Sequence, residues 1–227
     1  MALLGPAALA MWWDMAPKVM EDFENWHTHE HFPERLRIPG FRRSSRWTSA
    51  DGGEGIFVLY ELESYEVLSS IPYLARLNAP TPWSTRLMPH HRNMVRSQSH
   101  VLESRGAVIT RQAMTIRLSP AGGRSDELLA GLKSLINELA DSQGFAGAHL
   151  LIHQTPDIAQ TTEQKIRGAA DKVADWVLVV CAYEPKVLDV ASTAKLSADS
   201  LERLGAGPGQ NRAIYALSCS AALAELG

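Results

Sequence analysis

Within Trp26–Arg42 the chain packs three histidines, two glutamates and three arginines. Imidazole titrates near neutrality, so a histidine held beside a carboxylate can take up and return a proton. An apolar stripe of Val19, Met20, Phe23 and Trp26 runs at helical spacing from Pro17. Continued by steps of three and four it reaches His27, Glu30 and His31, while His29 turns to the opposite face. The candidate catalytic set is therefore His27, Glu30 and His31, with His27 or His31 as base and Glu30 as its orienter. The competing role for the same residues is structural: capping the helix end, with Glu30 paired to Arg35, Arg37 or Arg42.

Candidate substrate-binding groups lie further along. Arg42 and Arg46 share one face of a strand and Glu61 falls on a neighbouring one. Paired arginines suit bidentate recognition of a carboxylate or phenolate, although an internal Arg–Glu cross-strand pair uses the same residues. Asn78, Trp83 and Arg86 flank a loop stiffened by Pro80 and Pro82, where Trp83 could stack on a flat ligand or simply plug the end of the fold. His149 and His153 share a strand face in the second half. A metal set from His27, His29 and His31, extended by His90 and His91, would need an extended chain, and no His-Glu-x-x-His or cysteine pair supports it. No metal ligands and no cofactor are assigned. Haem ligation by a single histidine has no signature of its own. Gly-x-Ser-x-Gly, Gly-x-Gly-x-x-Gly and Walker loops are absent, and Gly205–Gly209 reads as a turn.

The elements that must position these groups follow from periodicity. Strands are expected over 7–13, 41–48, 56–62 and 94–102, with helices over 17–30 and 64–77 and loops over 31–40 and 78–83. The order then repeats: strand 108–118, helix 125–141 with Ser125 as cap, strand 147–153, strand 176–183, helix 186–203 and strand 211–219. Gly40-Phe41 and Tyr60-Glu61 recur as Gly144-Phe145 and Tyr183-Glu184. The Phe-to-Tyr interval is 19 residues in the first half and 38 in the second, the excess being a helical excursion over 156–174. Each β-α-β-β-α-β series is a ferredoxin-like unit, an antiparallel sheet with both helices on one face. Residues 1–106 and 107–227 are thus read as two repeats of an α+β fold, their bare faces packed together as one barrel with helices outside.

Totals narrow the function classes. The chain has 227 residues, a net charge of -3 and no long Lys/Arg run, so nucleic-acid binding is not expected. Two cysteines point to a reducing compartment, and no apolar run reaches membrane-spanning length. A cytoplasmic location without membrane association is the expectation.

The pattern Trp26-His27-x-x-Glu30-His31, Ile38-Pro39-Gly40-Phe41-x-Arg43 and Tyr60-Glu61 resembles the dimeric α+β barrel superfamily, which includes EthD-like proteins, muconolactone isomerase and antibiotic-biosynthesis monooxygenases. The continuation Leu77 to Trp83, with Arg86, Asn93 and Arg96, resembles a bacterial branch with two fused repeats. The resemblance implies a small organic ligand and cofactor-free isomerase or oxygenase chemistry. It equally accommodates a non-catalytic binding or accessory protein, or a metal- or haem-dependent enzyme. It also leaves room for a homodimer of the fused barrel.

Overall fold

The computed structural model describes residues 3–107, 109–168 and 171–225. Eight strands form one closed barrel: β1 (Ala7–Asp14), β2 (Phe41–Ser49), β3 (Gly55–Leu62), β4 (Arg92–Gly106), β5 (Gln112–Leu118), β6 (Phe145–His153), β7 (Trp176–Ala182) and β8 (Asn211–Ala222). Around the barrel the order is β1-β3-β2-β8-β5-β7-β6-β4, and all eight neighbouring pairs are antiparallel. The first four strands therefore run 4-1-3-2 and the last four 8-5-7-6, the ferredoxin-like order twice. The halves join through their edges, β2 with β8 and β4 with β6, so no sheet edge is left for a stray strand to pair with.

Period-two alternation divides the apolar residues into three layers. Inward positions such as Trp12, Trp47, Phe57 and Val179 fill the lumen. Outward positions of the first half, among them Leu9, Trp13, Val58 and Tyr60, pack under its helices. Those of the second half, Met114, Ile116, Leu150 and Val180, do the same under theirs. Trp12 and Trp47 both stack on Phe57, with ring centroids 5.2 and 5.1 Å away. That wall of rings belongs to the apolar core that fills the lumen.

The two Gly-Phe words do the same job in each half. Gly40 and Gly144 have φ of +95° and +89°, backbone open to glycine at little cost. A Cβ added there would lie 2.3 Å from Val67 Cγ2 and 2.4 Å from Val187 Cγ1, respectively. Each glycine lets the following helical segment close down on the start of a strand.

Several boundaries differ from the periodicity reading. The first helix does not give way to a loop at residue 31. Helix α1 (Pro17–Trp26) passes through a single π-turn (His27–His31) into α2 (Phe32–Leu36). Pro33 carries no N–H, and its ring would clash with the carbonyl four residues back in a regular helix. The wider turn, in which Phe32 N–H donates to His27 O, removes that conflict. Residues 64–77 split into a 3₁₀ turn (Tyr65–Ser69) and α3 (Ile71–Asn78), because Pro72 starts a helix capped by Ser70. The expected loop at 78–83 is largely helical: Thr81 caps α4 (Pro82–Leu87) by accepting from Ser84 N–H at 3.0 Å. Strand β4 is much longer than 94–102, and β5 begins at Gln112. Val108, the expected start of that strand, lies outside the described residues.

In the second half, α5 (Ser125–Ala140) is the expected long helix, but Ser125 is its first residue and Arg124 stands at the cap position with no side-chain capping bond. The excursion contains α6 (Thr162–Arg167), closed by a reciprocal Thr161–Gln164 capping box. The expected 186–203 helix is two, α7 (Pro185–Thr193) and α8 (Ala198–Arg203), the second capped by Ser197. Cys181 and Cys219 are both free.

Candidate functional site

Under the helices of the first half lie two abutting cavities of about 30 Å³ each, both touching Met11, His31, Tyr60, Glu163 and Arg167. Their floor is the outward face of β1, β3 and β4, including Tyr60 and Arg96; their roof is the π-turn, α2 and α6. Each has room for a water or so. A larger, shallower depression lies on the surface beside His29, Glu30, Glu34, Arg37 and Arg76. The cavities are built jointly, since α6 comes from the second half. Its segment is laid along β4 by backbone bonds from Arg96 N–H to Lys172 O (2.8 Å) and Lys172 N–H to Met94 O (2.9 Å).

The π-turn decides which histidines face inward. His27 is 1% and His31 9% exposed, and their rings stack with centroids 5.1 Å apart. His27 is enclosed by Phe23, Phe32 and Trp13, and His31 lies against Trp26 at 4.5 Å. Burial, followed by the positive charges of Arg46 and Arg35 nearby, drives the His27 pKa well below its ordinary value. His31 is lowered likewise by burial and then by Arg35. Both rings are neutral at pH 7 and keep a free nitrogen lone pair. The Nδ1 atoms of both are buried without a hydrogen-bond partner. His91 joins them from the end of the 3₁₀ turn Met88–His90, its ring 5.0 Å from Trp13, and burial lowers its pKa to about 4. His29 is exposed and bonds to Asn25 O.

Glu30 is separated from this group. It accepts from Trp26 Nε1 (3.0 Å) and Thr81 Oγ1 (2.5 Å) and so ties the π-turn to the start of α4. The carboxylate nearest a buried histidine is Glu34, whose Oε2 stands 4.0 Å from His31 Nδ1. Burial raises the Glu34 pKa.

The expected ligand-binding residues are dispersed. Arg42 is exposed and pairs with Glu63 at 3.0 Å. A bulge between Phe41 and Arg43 shifts the register, so Arg43, rather than Arg42, forms the cross-strand pair with Glu61. That pair is two-pronged, 2.5 and 2.9 Å, inside the barrel. Arg46 is buried beneath α1, donating to Thr28 Oγ1 (3.2 Å) and Ser218 Oγ (3.1 Å). Asn78 Oδ1 accepts from Thr162 N–H at 3.0 Å, anchoring α6. Trp83 Nε1 and Arg86 both donate to Asp22 and clip α4 to α1. His149 is inside the barrel with Ser104 at 2.8 Å, and His153 accepts from Gln98 N–H. Of the expected set, only His27 and His31 line these cavities, while Trp83 and Arg86 meet at Asp22.

Sequence reasoning gave Arg35, Tyr60 and Arg96 no role in the site and did not single out Glu163 or Arg167, which line both cavities. Arg35 and Glu163 form an ion pair 128 residues apart, their side chains 4% and 6% exposed. Arg96 donates to Tyr73 Oη at 2.6 Å. Burial pushes the Tyr60 phenol well above its ordinary pKa, so it stays protonated. The available signal was alternation: Leu9, Met11, Tyr60 and Arg96 all occupy outward positions once the strand order is known. Among the described residues no three His, Cys, Asp or Glu side chains converge as a metal site, and no helix is long and apolar enough to cross a membrane.

No protein-family model and no curated protein matches the sequence. Solved structures match over nearly the whole chain. An anthrone oxidase-like protein superposes with a TM-score of 0.65 at 10% identity, over 99% of this chain and 97% of its own. A candidate monooxygenase of Fusobacterium nucleatum subsp. nucleatum gives 0.64 at 9%, over 97% and 96%. A monooxygenase-like protein of Listeria innocua gives 0.51 at 6%, over 94% and 95%. The chain has the fold of the dimeric α+β barrels, with both halves of the barrel supplied by one polypeptide.

Proposed function

We propose that the chain is a cofactor-free enzyme of the oxygenase or isomerase type, using His27 or His31 to take a proton from a small, flat organic substrate. The observation that carries this reading is the pair of buried, neutral imidazoles at two adjoining cavities: His31 lines both, His27 lines one, and Arg35 and Arg96 line the other. A neutral imidazole accepts the proton. The guanidinium groups and the Tyr60 phenol then stabilise the carbanion or phenolate in a site of low dielectric. In an oxygenase that anion hands its electrons to O₂; in an isomerase it is reprotonated at a second carbon. With α6 in place the cavities hold only a water or so, so substrate enters with α6 displaced. Glu30 is too occupied with Trp26 and Thr81 to orient the base.

Anthrone is a suitable probe because its central methylene is a weak carbon acid and a structural neighbour is described as anthrone oxidase-like. Its oxidation balances as anthrone plus O₂ giving anthraquinone plus water. Oxygen uptake and quinone absorbance would be followed together. The expected result is turnover by the native chain, lowered about 10²-fold or more in His27→Ala or His31→Ala, the range of a general base. Because both pKa values are depressed, the rate should hold level as pH falls through 6.5 and drop only in more acid solution. Turnover unchanged in both variants would exclude these histidines. Binding without turnover would identify a binding protein on the same fold.

A further inference from the structure

We propose that Glu163 occupies an anion subsite and stands in for the carboxylate of the ligand, which displaces it when α6 lifts. This deepens the reading of the histidine cavity as a substrate pocket and rests on it. Three arginines, Arg35, Arg96 and Arg167, line the same cavity. Arg167 is matched by Asp171 at 2.8 Å. Arg35 is matched by Glu163, with Glu34 farther off at 3.6 Å. Arg96 has no acidic partner among the described residues although it is only 6% exposed. Its guanidinium donates to the Tyr73 hydroxyl, and its Nε is buried with no hydrogen-bond partner among the described residues. A buried guanidinium without a counter-charge is costly, and the cost is removed by an anion bound in the cavity.

Glu163 is placed to be exchanged. It rides on the six-residue helix α6, in an excursion from between β6 and β7, and is not part of the barrel. The helix ends at Gly168 in the left-handed region, φ +76°, with open space around the glycine. Besides the Glu163–Arg35 pair, the side-chain tie to α3 is Asn78 Oδ1 accepting from the Thr162 backbone. An incoming carboxylate repeats the Glu163 contact with Arg35 and adds the partner Arg96 lacks. Glu163 therefore competes with the ligand and also keeps Arg35 paired in the empty protein. The ligand class is a small organic carboxylate, its ring toward His27 and His31 and its charge toward Arg35 and Arg96.

Benzoate and its neutral isostere benzamide test this, with binding followed by calorimetry and by the ring resonances of His27 and His31. Glu163→Gln should bind benzoate about tenfold or more tighter than the native chain, the scale of one charge-assisted bond, with benzamide little changed. Arg96→Gln should lose benzoate binding. Equal binding of benzoate and benzamide, both moving the histidine resonances, would overturn the anion subsite while leaving the pocket reading intact. If neither probe moves those resonances, both readings fall. Should Glu163→Gln not fold, amide exchange over 162–167 in the native chain serves instead: faster exchange with benzoate supports displacement of α6, and unchanged exchange overturns it.

Discussion

Replacing Arg35 with alanine should cost about 3–5 kcal/mol of stability, the range for removing one partner of a buried ion pair. The pair is shielded, with side chains 4% and 6% exposed, so solvent screening gives little relief to the Glu163 carboxylate left behind. It also joins α2 of the first half to α6 of the second, so its loss should free α6 and raise amide exchange there before the barrel opens. Urea denaturation at pH 7 measures the effect as a shift of midpoint at nearly constant slope. The double variant Arg35→Met with Glu163→Leu should regain most of the loss, because apolar replacement of both partners removes the unpaired charge. A loss below about 1 kcal/mol in Arg35→Ala, typical of exposed pairs, would show that water reaches this pair.

Acid should destabilise the fold well before ordinary carboxylates titrate. Burial holds His149 at about 4 and drives His27 and His31 well down. A group whose folded pKa lies below its unfolded value gives its full stabilisation above the unfolded value, near 6.5, and loses it as pH falls. For His149, which is 0% exposed, the window runs from pH 6.5 to about 4. The shift corresponds to about 3 kcal/mol. In a chain of this length that lowers the melting temperature by about 6–12 °C, and His27 and His31 add in the same sense. Glu34, whose pKa is raised by burial, acts in the opposite sense. Melting curves between pH 7 and 4 check the slope, and His149→Gln should remove its share. A melting temperature constant from pH 7 to 5 would mean that these rings are solvated.

The repeated element order and the Gly-Phe words made the double barrel legible in the chain. They are local: Gly40 and Gly144 must adopt positive φ, and alternation in Ala7–Asp14 and Gly55–Leu62 assigns faces to a strand wherever its neighbours lie. The inward turn of His27 and His31 was legible too, because a helical stripe continues across one π-turn with its face nearly kept.

The partners of those histidines were not legible. Glu30 left the set because Trp26 and Thr81 claim its carboxylate, the second from 51 residues away. Arg42 lost its expected partner to a single bulge, since one inserted residue turns every following side chain to the other face. Arg35 and Glu163 meet only because an excursion of the second half folds back over the first. The sequence by itself determined the strands, the duplication and the histidines that point inward, since backbone geometry and period act between near neighbours. Only the tertiary structure decided which charges face those histidines, because barrel closure brings together residues whose separation along the chain carries no periodic signal.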